Sequence, residues 1–163
     1  MNKLPQELLD YIFLLTDFKT CISFNSYLSD IIIKKLYNKD IHTWNWAARY
    51  GHLEVVKWLH KNRNEGCTVF SMDFAARYGH LEIVKWLHFN RTEGCSYWTM
   101  DYAAENGHIE VVKWLHFNRT EGCTINAMDW AAGKGHLEVV KFLHENRNEG
   151  CTIKVLKFLR EHF

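Results

Sequence analysis

The chain has 163 residues, of which 47% are hydrophobic, and a formal net charge of +1 from 20 basic and 19 acidic side chains. This length favours one domain with a short additional segment. The balanced charge excludes the basic excess that is typical of proteins that bind nucleic acids or membrane surfaces. A single proline and five cysteines without a C-x-x-C pair favour an ordered protein of a reducing, cytoplasmic compartment.

Residues 1–40 carry an apolar helical pattern that does not recur later in the chain. A proline near its start suits the first turn of a helix. The string L-P-Q-E-L-L-D-Y-I-F resembles the opening of an F-box, a segment that binds a Skp-type adaptor and so attaches a ubiquitin ligase. The resemblance implies adaptor binding by Leu4, Pro5, Leu8, Leu9, Ile12 and Phe13. The alternative is that residues 1–40 only cap the domain that follows them.

A repeat of 28 residues occupies positions 41–154. Gly-His recurs at 51–52, 79–80, 107–108 and 135–136, and an Ala-Ala pair precedes it at 47–48, 75–76, 103–104 and 131–132. Self-similarity at a fixed period of this size is typical of solenoids, in which each unit packs on its neighbours. The sequence therefore predicts four stacked units.

Each unit predicts two short helices. In the second unit, Ser71 stands where we expect the N-cap of the first helix, and Gly79 stands where a left-handed residue ends that helix. The second helix follows His80, with Glu82 in its first turn, where the helix dipole favours a negative charge. Thr43 and Thr99 are expected to cap the first helices of two other units.

The string A-A-x-x-G-H-L-E-V-V-K-x-L is similar to the ankyrin repeat. The ankyrin period is about 33 residues, and the residues missing here fall where ankyrin proteins carry a β-hairpin finger. The resemblance implies an all-α fold, an ankyrin-like solenoid of stacked helix pairs with reduced or absent β-hairpin fingers. The T-P-L-H string of ankyrin repeats is replaced, so that Asp73, Asp101 and Asp129 are expected to accept backbone hydrogen bonds instead.

Residues 155–163 belong to an incomplete unit. The segment from Val155 repeats the segment from Val139 at an offset of 16 residues rather than 28, so that a first helix is missing. We expect a single helix there that caps the last repeat. Shortened repeats of this kind resemble those of large DNA viruses of amoebae, and this resemblance implies the host cell cytoplasm as the location.

The histidines and cysteines of the repeats do not match a zinc signature, because the spacing lacks close ligand pairs. We interpret the cysteines as small core residues and the histidines after glycine as hydrogen-bonding groups between repeats. Arg63 and Glu65, with their copies, are predicted ion pairs. Catalytic centres are unique within a chain, whereas these groups recur. The sequence therefore predicts no enzyme activity, metal or cofactor.

The candidate binding site consists of positions that vary between repeats, together with an aromatic residue before each Ala-Ala pair. In ankyrin proteins the two positions before Gly-His lie on the concave binding face, and the resemblance places the residues at these positions there. The aromatic residue either packs within the stack or forms an aromatic strip on the same face. The candidate binding residues are Trp46, Arg49, Tyr50, Phe74, Arg77, Tyr78, Tyr102, Glu105, Asn106, Trp130 and Lys134. Aromatic residues and arginine are frequent hot spots of protein interfaces. Phe89 and Phe117 are expected to form a separate exposed apolar patch.

The sequence thus predicts a monomeric module that binds protein partners, and neither nucleic acid nor membrane. With the F-box-like segment, it would be a substrate-recognition adaptor that recruits targets to a cullin-RING ubiquitin ligase. The alternative is a structural or assembly scaffold that associates with itself through exposed aromatic side chains.

Overall fold

A computed structural model of the protein describes residues 42–62, 64, 66–153 and 155. Within these residues the chain forms eight helices and no strand. They are α1 (His42–Arg49), α2 (Leu53–Asn62), α3 (Val69–Arg77), α4 (Leu81–Asn90), α5 (Trp98–Glu105), α6 (Ile109–Asn118), α7 (Ile125–Gly133) and α8 (Leu137–Asn146). The F-box-like segment and residues 156–163 of the expected C-terminal cap lie outside the described residues.

A sharp turn joins the two helices of each repeat. In the second repeat, Gly79 has φ +78°, and its N–H donates to the Ala76 carbonyl at 3.1 Å. The N–H of His80 donates to the Ala75 carbonyl at 2.8 Å. This pair of bonds is the Schellman motif, which satisfies the last carbonyls of a helix and needs a left-handed residue. The predicted helix end at Gly79 is confirmed.

Alanines bring the first helices of the repeats close together. Ala75, Ala76, Ala103 and Ala104 are fully buried, and α3, α5 and α7 pack closely on one another. The second helices α4, α6 and α8 lie farther apart, although Val84, Val112 and their neighbours are equally buried. Among these repeats, the row of first helices is therefore the tighter side of the stack.

The N-caps predicted at Ser71, Thr43 and Thr99 were wrong, because all three residues lie inside helices. Helices α3 and α7 begin after Thr68 and Thr124, and the Thr124 hydroxyl accepts the Asn126 N–H at 3.1 Å. Ser71 lies inside α3, is fully buried, and donates to Asn45 Oδ1 at 2.7 Å. Thr43 and Thr99 also lie within helices. Ser71 and Thr99 instead donate to Asn45 and Asp73 of the preceding first helix, and Thr68 takes the cap position of α3.

Aspartates join each first helix to the start of the next one, as predicted. Asp73 Oδ1 accepts the Ser96 N–H at 3.0 Å, Asp101 Oδ1 accepts the Thr124 N–H at 2.8 Å, and Asp129 Oδ1 accepts the Thr152 N–H at 2.9 Å. Each acceptor lies 23 residues before its donor, so that the bond crosses from one repeat to the next. The carboxylates thus fix the register of successive first helices.

The connections between repeats are short loops, as the missing residues predicted. Residues 91–97 and 119–124 contain no β-strand. In the first of these loops, Arg91 forms an ion pair with Glu93, and Glu93 Oε1 accepts the N–H of Cys67, a residue of the preceding loop, at 3.2 Å. Burial alone would raise the pKa of Glu93, but its bonds from Arg91 and from backbone N–H groups outweigh burial and lower the pKa to about 2.

Candidate functional site

The predicted binding residues lie in one row along the first helices. Trp46 and Arg49 belong to α1, Phe74 and Arg77 to α3, Tyr102 and Glu105 to α5, and Trp130 to α7. Tyr50, Tyr78, Asn106 and Lys134 each follow directly after one of these helices. We call this row the first-helix strip.

Arginine and aromatic side chains alternate through the first part of the strip. The Arg49 guanidinium lies over the rings of Tyr50, Phe74 and Tyr78, at 5.6, 6.0 and 5.1 Å from their centroids. One repeat further, the Arg77 guanidinium lies 4.7 Å from the Tyr102 centroid. Cation–π attraction acts at such distances. Each arginine therefore rests on the aromatic residue of the following repeat, and the strip is continuous across the repeat boundaries.

In the third and fourth repeats, the side chains of the strip are paired with one another or with the backbone. Lys134 Nζ lies 3.0 Å from Glu105 Oε1, and Asn106 Nδ2 donates to the Tyr102 carbonyl at 2.9 Å. The Tyr102 and Trp130 rings stack with centroids 6.3 Å apart. Charge is therefore neutralised in the third and fourth repeats, whereas the first two repeats present cationic groups on aromatic rings.

Two further aromatic residues, Trp98 and Phe70, belong to this surface and were missed by the sequence analysis. The Trp98 ring stacks on Trp130 at 6.0 Å with an interplanar angle of 11°, and Phe70 lies 6.5 Å from Phe74 and is more than half exposed. Residues four apart on a helix share a face, so their spacing was the available signal. The N-cap error hid it, because it left Phe70 and Trp98 outside the predicted helices.

A histidine row lies directly beside the strip. His80 Nε2 donates to the Arg49 carbonyl at 3.0 Å, and His108 Nε2 donates to the Arg77 carbonyl at 3.1 Å. Burial lowers the pKa of His108, the bond to the Arg77 carbonyl opposes this shift, and the imidazoles of His80 and His136 lower the pKa further. The predicted inter-repeat role of the histidines is confirmed for these two bonds.

Two of the described cysteines, Cys67 and Cys123, are held as neutral thiols. Burial and the nearby Glu93 carboxylate raise the pKa of Cys67 to about 11, and burial with Glu149 raises that of Cys123 to about 12. A raised pKa suppresses the nucleophilic thiolate, which agrees with a packing role. No group of three or more His, Cys, Asp or Glu side chains among the described residues is arranged to hold a metal ion.

The repeated Arg-x-Glu pairs are ion pairs in three described copies, as predicted. They are Arg91 with Glu93, Arg119 with Glu121, and Arg147 with Glu149. Arg63 and Glu65 lie outside the described residues. Each of the three arginines also approaches a histidine of the preceding repeat, for example Arg119 Nη1 at 3.1 Å from His88 Nδ1.

A separate aromatic patch lies at the ends of the second helices. Phe89 is 73% exposed and Phe117 72% exposed, as predicted. Each ring packs edge-on against the preceding histidine, with centroids 4.9 Å apart for His88 and Phe89. Lys61 and Glu145 occupy the equivalent positions in the first and fourth repeats.

No described helix has the length and apolar character needed to cross a membrane.

Residues 46–88 and 100–144, together more than half of the chain, match the family model of ankyrin repeats in many copies. The chain belongs to the ankyrin-repeat family. A chain in the crystal structure of the yeast ribosomal protein Rps3 in complex with its chaperone Yar1 has a similar fold, with a TM-score of 0.53 and 20% sequence identity over 65% of this chain and 91% of that chain. That likeness shows the fold alone. No curated protein sequence matches this chain.

The family and the structure confirm the predicted all-α ankyrin solenoid, and with it a module for protein–protein interaction. The F-box-like segment, the adaptor, the viral origin and the cytoplasmic location stay predictions. The assignment of binding to the eleven predicted residues also stays a prediction.

Proposed function

We propose that the first-helix strip is the surface with which this ankyrin protein binds a partner protein. The observation that supports it is the alternation of Arg49, Arg77 and aromatic rings on a partly exposed face, since arginine and aromatic residues contribute most of the binding energy in many interfaces. These side chains are already ordered by contacts across repeats, so that little conformational entropy is lost when a partner binds.

The short loops between repeats also favour the first-helix strip as the binding surface. Residues 91–97 and 119–124 form no hairpin, so they offer a partner little of the projecting surface that fingers supply in longer repeats. The partner then meets mainly the side chains of the first helices. Stacked helical repeats commonly use an extended concave face in this way.

Affinity capture from cells tests the proposed surface. The variant with Arg49, Tyr50, Arg77 and Tyr78 all changed to Ala should lose the partners that the wild-type protein retains. A matched control changes four exposed or half-exposed residues of the second helices, Glu54, Lys57, Glu82 and Lys85, to Ala and should keep them. Circular dichroism confirms that both variants are folded. Equal partner sets for the wild type and the strip variant would exclude the strip as the binding surface.

The F-box-like segment supports a narrower proposal, that the protein recruits its partner to a cullin-RING ubiquitin ligase. This would take place in the cytoplasm, and for a viral protein in the cytoplasm of the host cell. A pull-down with a purified Skp-type adaptor tests it. Binding should be present for the wild-type chain and abolished by Leu8→Asp with Ile12→Asp. If the wild-type chain does not bind the adaptor, residues 1–40 serve as a cap instead.

The exposed Phe89 and Phe117 favour a second candidate, an assembly scaffold that associates with itself. Exposed apolar patches often mark sites of association. Sedimentation velocity over a wide concentration range separates the two functions. A sedimentation coefficient that does not change with concentration supports the monomeric binding module, and a rise that Phe89→Lys with Phe117→Glu abolishes supports the scaffold.

A further inference from the structure

We infer that the partner of the strip is an acidic protein segment in an extended conformation, bound through two of its carboxylates by Arg49 and Arg77. The inference rests on the proposed function of the strip and adds the chemistry and spacing of the ligand. It starts from a difference between two sets of arginines in the same chain.

The first set has its charge satisfied within the protein. Arg91, Arg119 and Arg147 each form an ion pair with a glutamate two residues later. Arg49 and Arg77 differ, because among the described residues no carboxylate forms an ion pair with either of them. Their described contacts are with aromatic rings instead. Within the described part of the chain, the first two repeats therefore carry two cationic groups that lack a carboxylate partner.

Stacking prepares these guanidinium groups for an external carboxylate. A ring covers a face of the planar group, but the N–H donors point outward in its plane. The planar fork can then donate two parallel hydrogen bonds to one carboxylate. Tyr50 and Tyr78, 54% and 40% exposed, flank this position at Arg49. A lysine would lack both the stacking and the bidentate geometry.

The spacing of the two arginines indicates the conformation of the ligand. They occupy equivalent positions on α1 and α3, which are neighbours in the stack, and packed helices lie about 8–10 Å apart. A polyproline II segment rises about 3.1 Å per residue and has three residues per turn. Its residues i and i+3 thus lie on one face about 9 Å apart, which matches the helix spacing. In a β-strand, residues i and i+2 are only about 7 Å apart.

The third repeat limits the length of the acidic segment. The position equivalent to Arg49 and Arg77 is Glu105, which is paired with Lys134. A third carboxylate at the next interval would meet no guanidinium group there, and the counter-charge of Lys134 is already used by Glu105. Beside Glu105 the strip presents the stacked rings of Trp98, Tyr102 and Trp130. We therefore expect the motif Glu-x-x-Glu followed by an apolar or aromatic residue.

Fluorescence anisotropy with the full-length protein tests the inference. The probe is a fluorescein-labelled 12-residue peptide with Glu-Pro-Ala-Glu followed by Leu in an uncharged background. The wild-type protein should bind it at least about tenfold more tightly than the Gln-Pro-Ala-Gln peptide, since hydrogen bonds to charged groups have that magnitude. Arg49→Gln and Arg77→Gln should each weaken binding about tenfold, and Lys85→Gln, on the second-helix side, should leave it unchanged.

Three results would overturn the inference. They are equal affinity for the Glu and Gln peptides, equal affinity for Glu-x-Glu and Glu-x-x-Glu peptides, and tighter binding of a 6-nucleotide single-stranded DNA than of the acidic peptide. Loss of cellular partners in the strip variant together with any of these results would leave the proposed surface in place and reject only its acidic ligand. Unchanged cellular partners would reject both.

Discussion

At the scale of single residues, the turn glycine of the second repeat both ends a helix and leaves space for a histidine of the next repeat. Gly79 adopts a left-handed conformation that closes the helix pair, and a Cβ built on it would lie 2.7 Å from Nδ1 of His108. The same ring donates to the Arg77 carbonyl at 3.1 Å. The glycine therefore leaves space for the imidazole that joins one repeat to the next, which explains why Gly and His recur as a pair.

Gly79→Ala should destabilise the protein more than Gly135→Ala does. Both glycines have nearly the same φ, +78° and +77°, so that both variants lose about 1–2 kcal/mol from left-handed strain. A Cβ at Gly135 meets no atom of the described residues within 4 Å, however, whereas one at Gly79 collides with His108. We expect an additional loss of about 1 kcal/mol at Gly79, measured by urea unfolding.

A double-mutant cycle provides the control for this comparison. In the His108→Ala background the imidazole is absent, and Gly79→Ala should then cost only the strain that Gly135→Ala costs. If the costs of Gly79→Ala are equal in the two backgrounds, the collision with His108 does not contribute to stability.

The half-buried histidine row predicts lower stability in mild acid. Because the pKa of His108 in the folded protein is lowered from 6.5, both folded and unfolded chains are neutral at this site above pH 6.5. As the pH falls below that value, the unfolded chain binds the proton first, and the free energy of unfolding decreases. The cause is chiefly burial, with further contributions from His80 and His136.

His108→Gln should reduce this pH dependence, since the amide can still donate to the Arg77 carbonyl but does not titrate. The measurement is the free energy of unfolding at pH 7.5 and 5.5 for both proteins. The decrease should be smaller in the variant but not zero, because the pKa of His52 is lowered as well. Glu93 contributes to pH dependence only below about pH 4.5, since its pKa is lowered. An equal decrease in the two proteins would contradict the assignment to His108.

At the scale of the elements, the loops between repeats are held by half-buried ion pairs. Glu93 accepts bonds from Arg91 and also from the backbone N–H of Cys67 in the preceding loop. Its carboxylate thus joins two loops that would otherwise be separate. The pairs on the second helices are different in kind: Glu82, paired with Lys85, has a side chain that is 72% exposed.

Glu93→Gln should therefore destabilise the protein by about 1 kcal/mol, because charged hydrogen bonds to Arg91 and Cys67 are weakened. The matched change Glu82→Gln should cost less than about 0.5 kcal/mol, since exposed ion pairs contribute little. Urea unfolding of both variants at low and high salt measures the difference. Equal costs would show that the loop pair has no role beyond that of a surface ion pair.

Much of the element structure could be predicted from the sequence because it depends on local chemistry. The glycine turns, the aspartate bonds and the ion pairs follow from residue types at fixed spacing. The start of the first helix could not, because Ser71 and Thr68 both have hydroxyl groups suited to an N-cap. The choice depends on tertiary contact: Ser71 bonds to Asn45 of the preceding repeat. Thr99 bonds in the same way to Asp73, and the earlier helix starts add Phe70 and Trp98 to the first helices.

At the scale of the whole set of described repeats, the buried core stays nearly the same from repeat to repeat, whereas the exposed surfaces change. The core is nearly identical in each repeat, with Val84, Val112 and Val140 all fully buried. The first-helix strip changes from cationic and aromatic to internally paired along the chain. The exposed phenylalanines of the second helices instead occur only in the middle two repeats. A stack of near-identical units thereby acquires two distinct surfaces without a change in fold.

Replacement of Phe89 by Lys and Phe117 by Glu should show that partner binding depends on the first-helix strip and not on the exposed phenylalanines of the second helices. Lys61 and Glu145 occupy the equivalent positions of the outer repeats, so the fold accepts both residues there. Because the two rings are 73% and 72% exposed, we expect the free energy of unfolding to change by less than about 0.5 kcal/mol. Partner capture should persist, because the strip lies on the first helices. Loss of the partners in this variant, with stability unchanged, would move the binding surface to the second helices, and the arginines of the strip would then need another explanation.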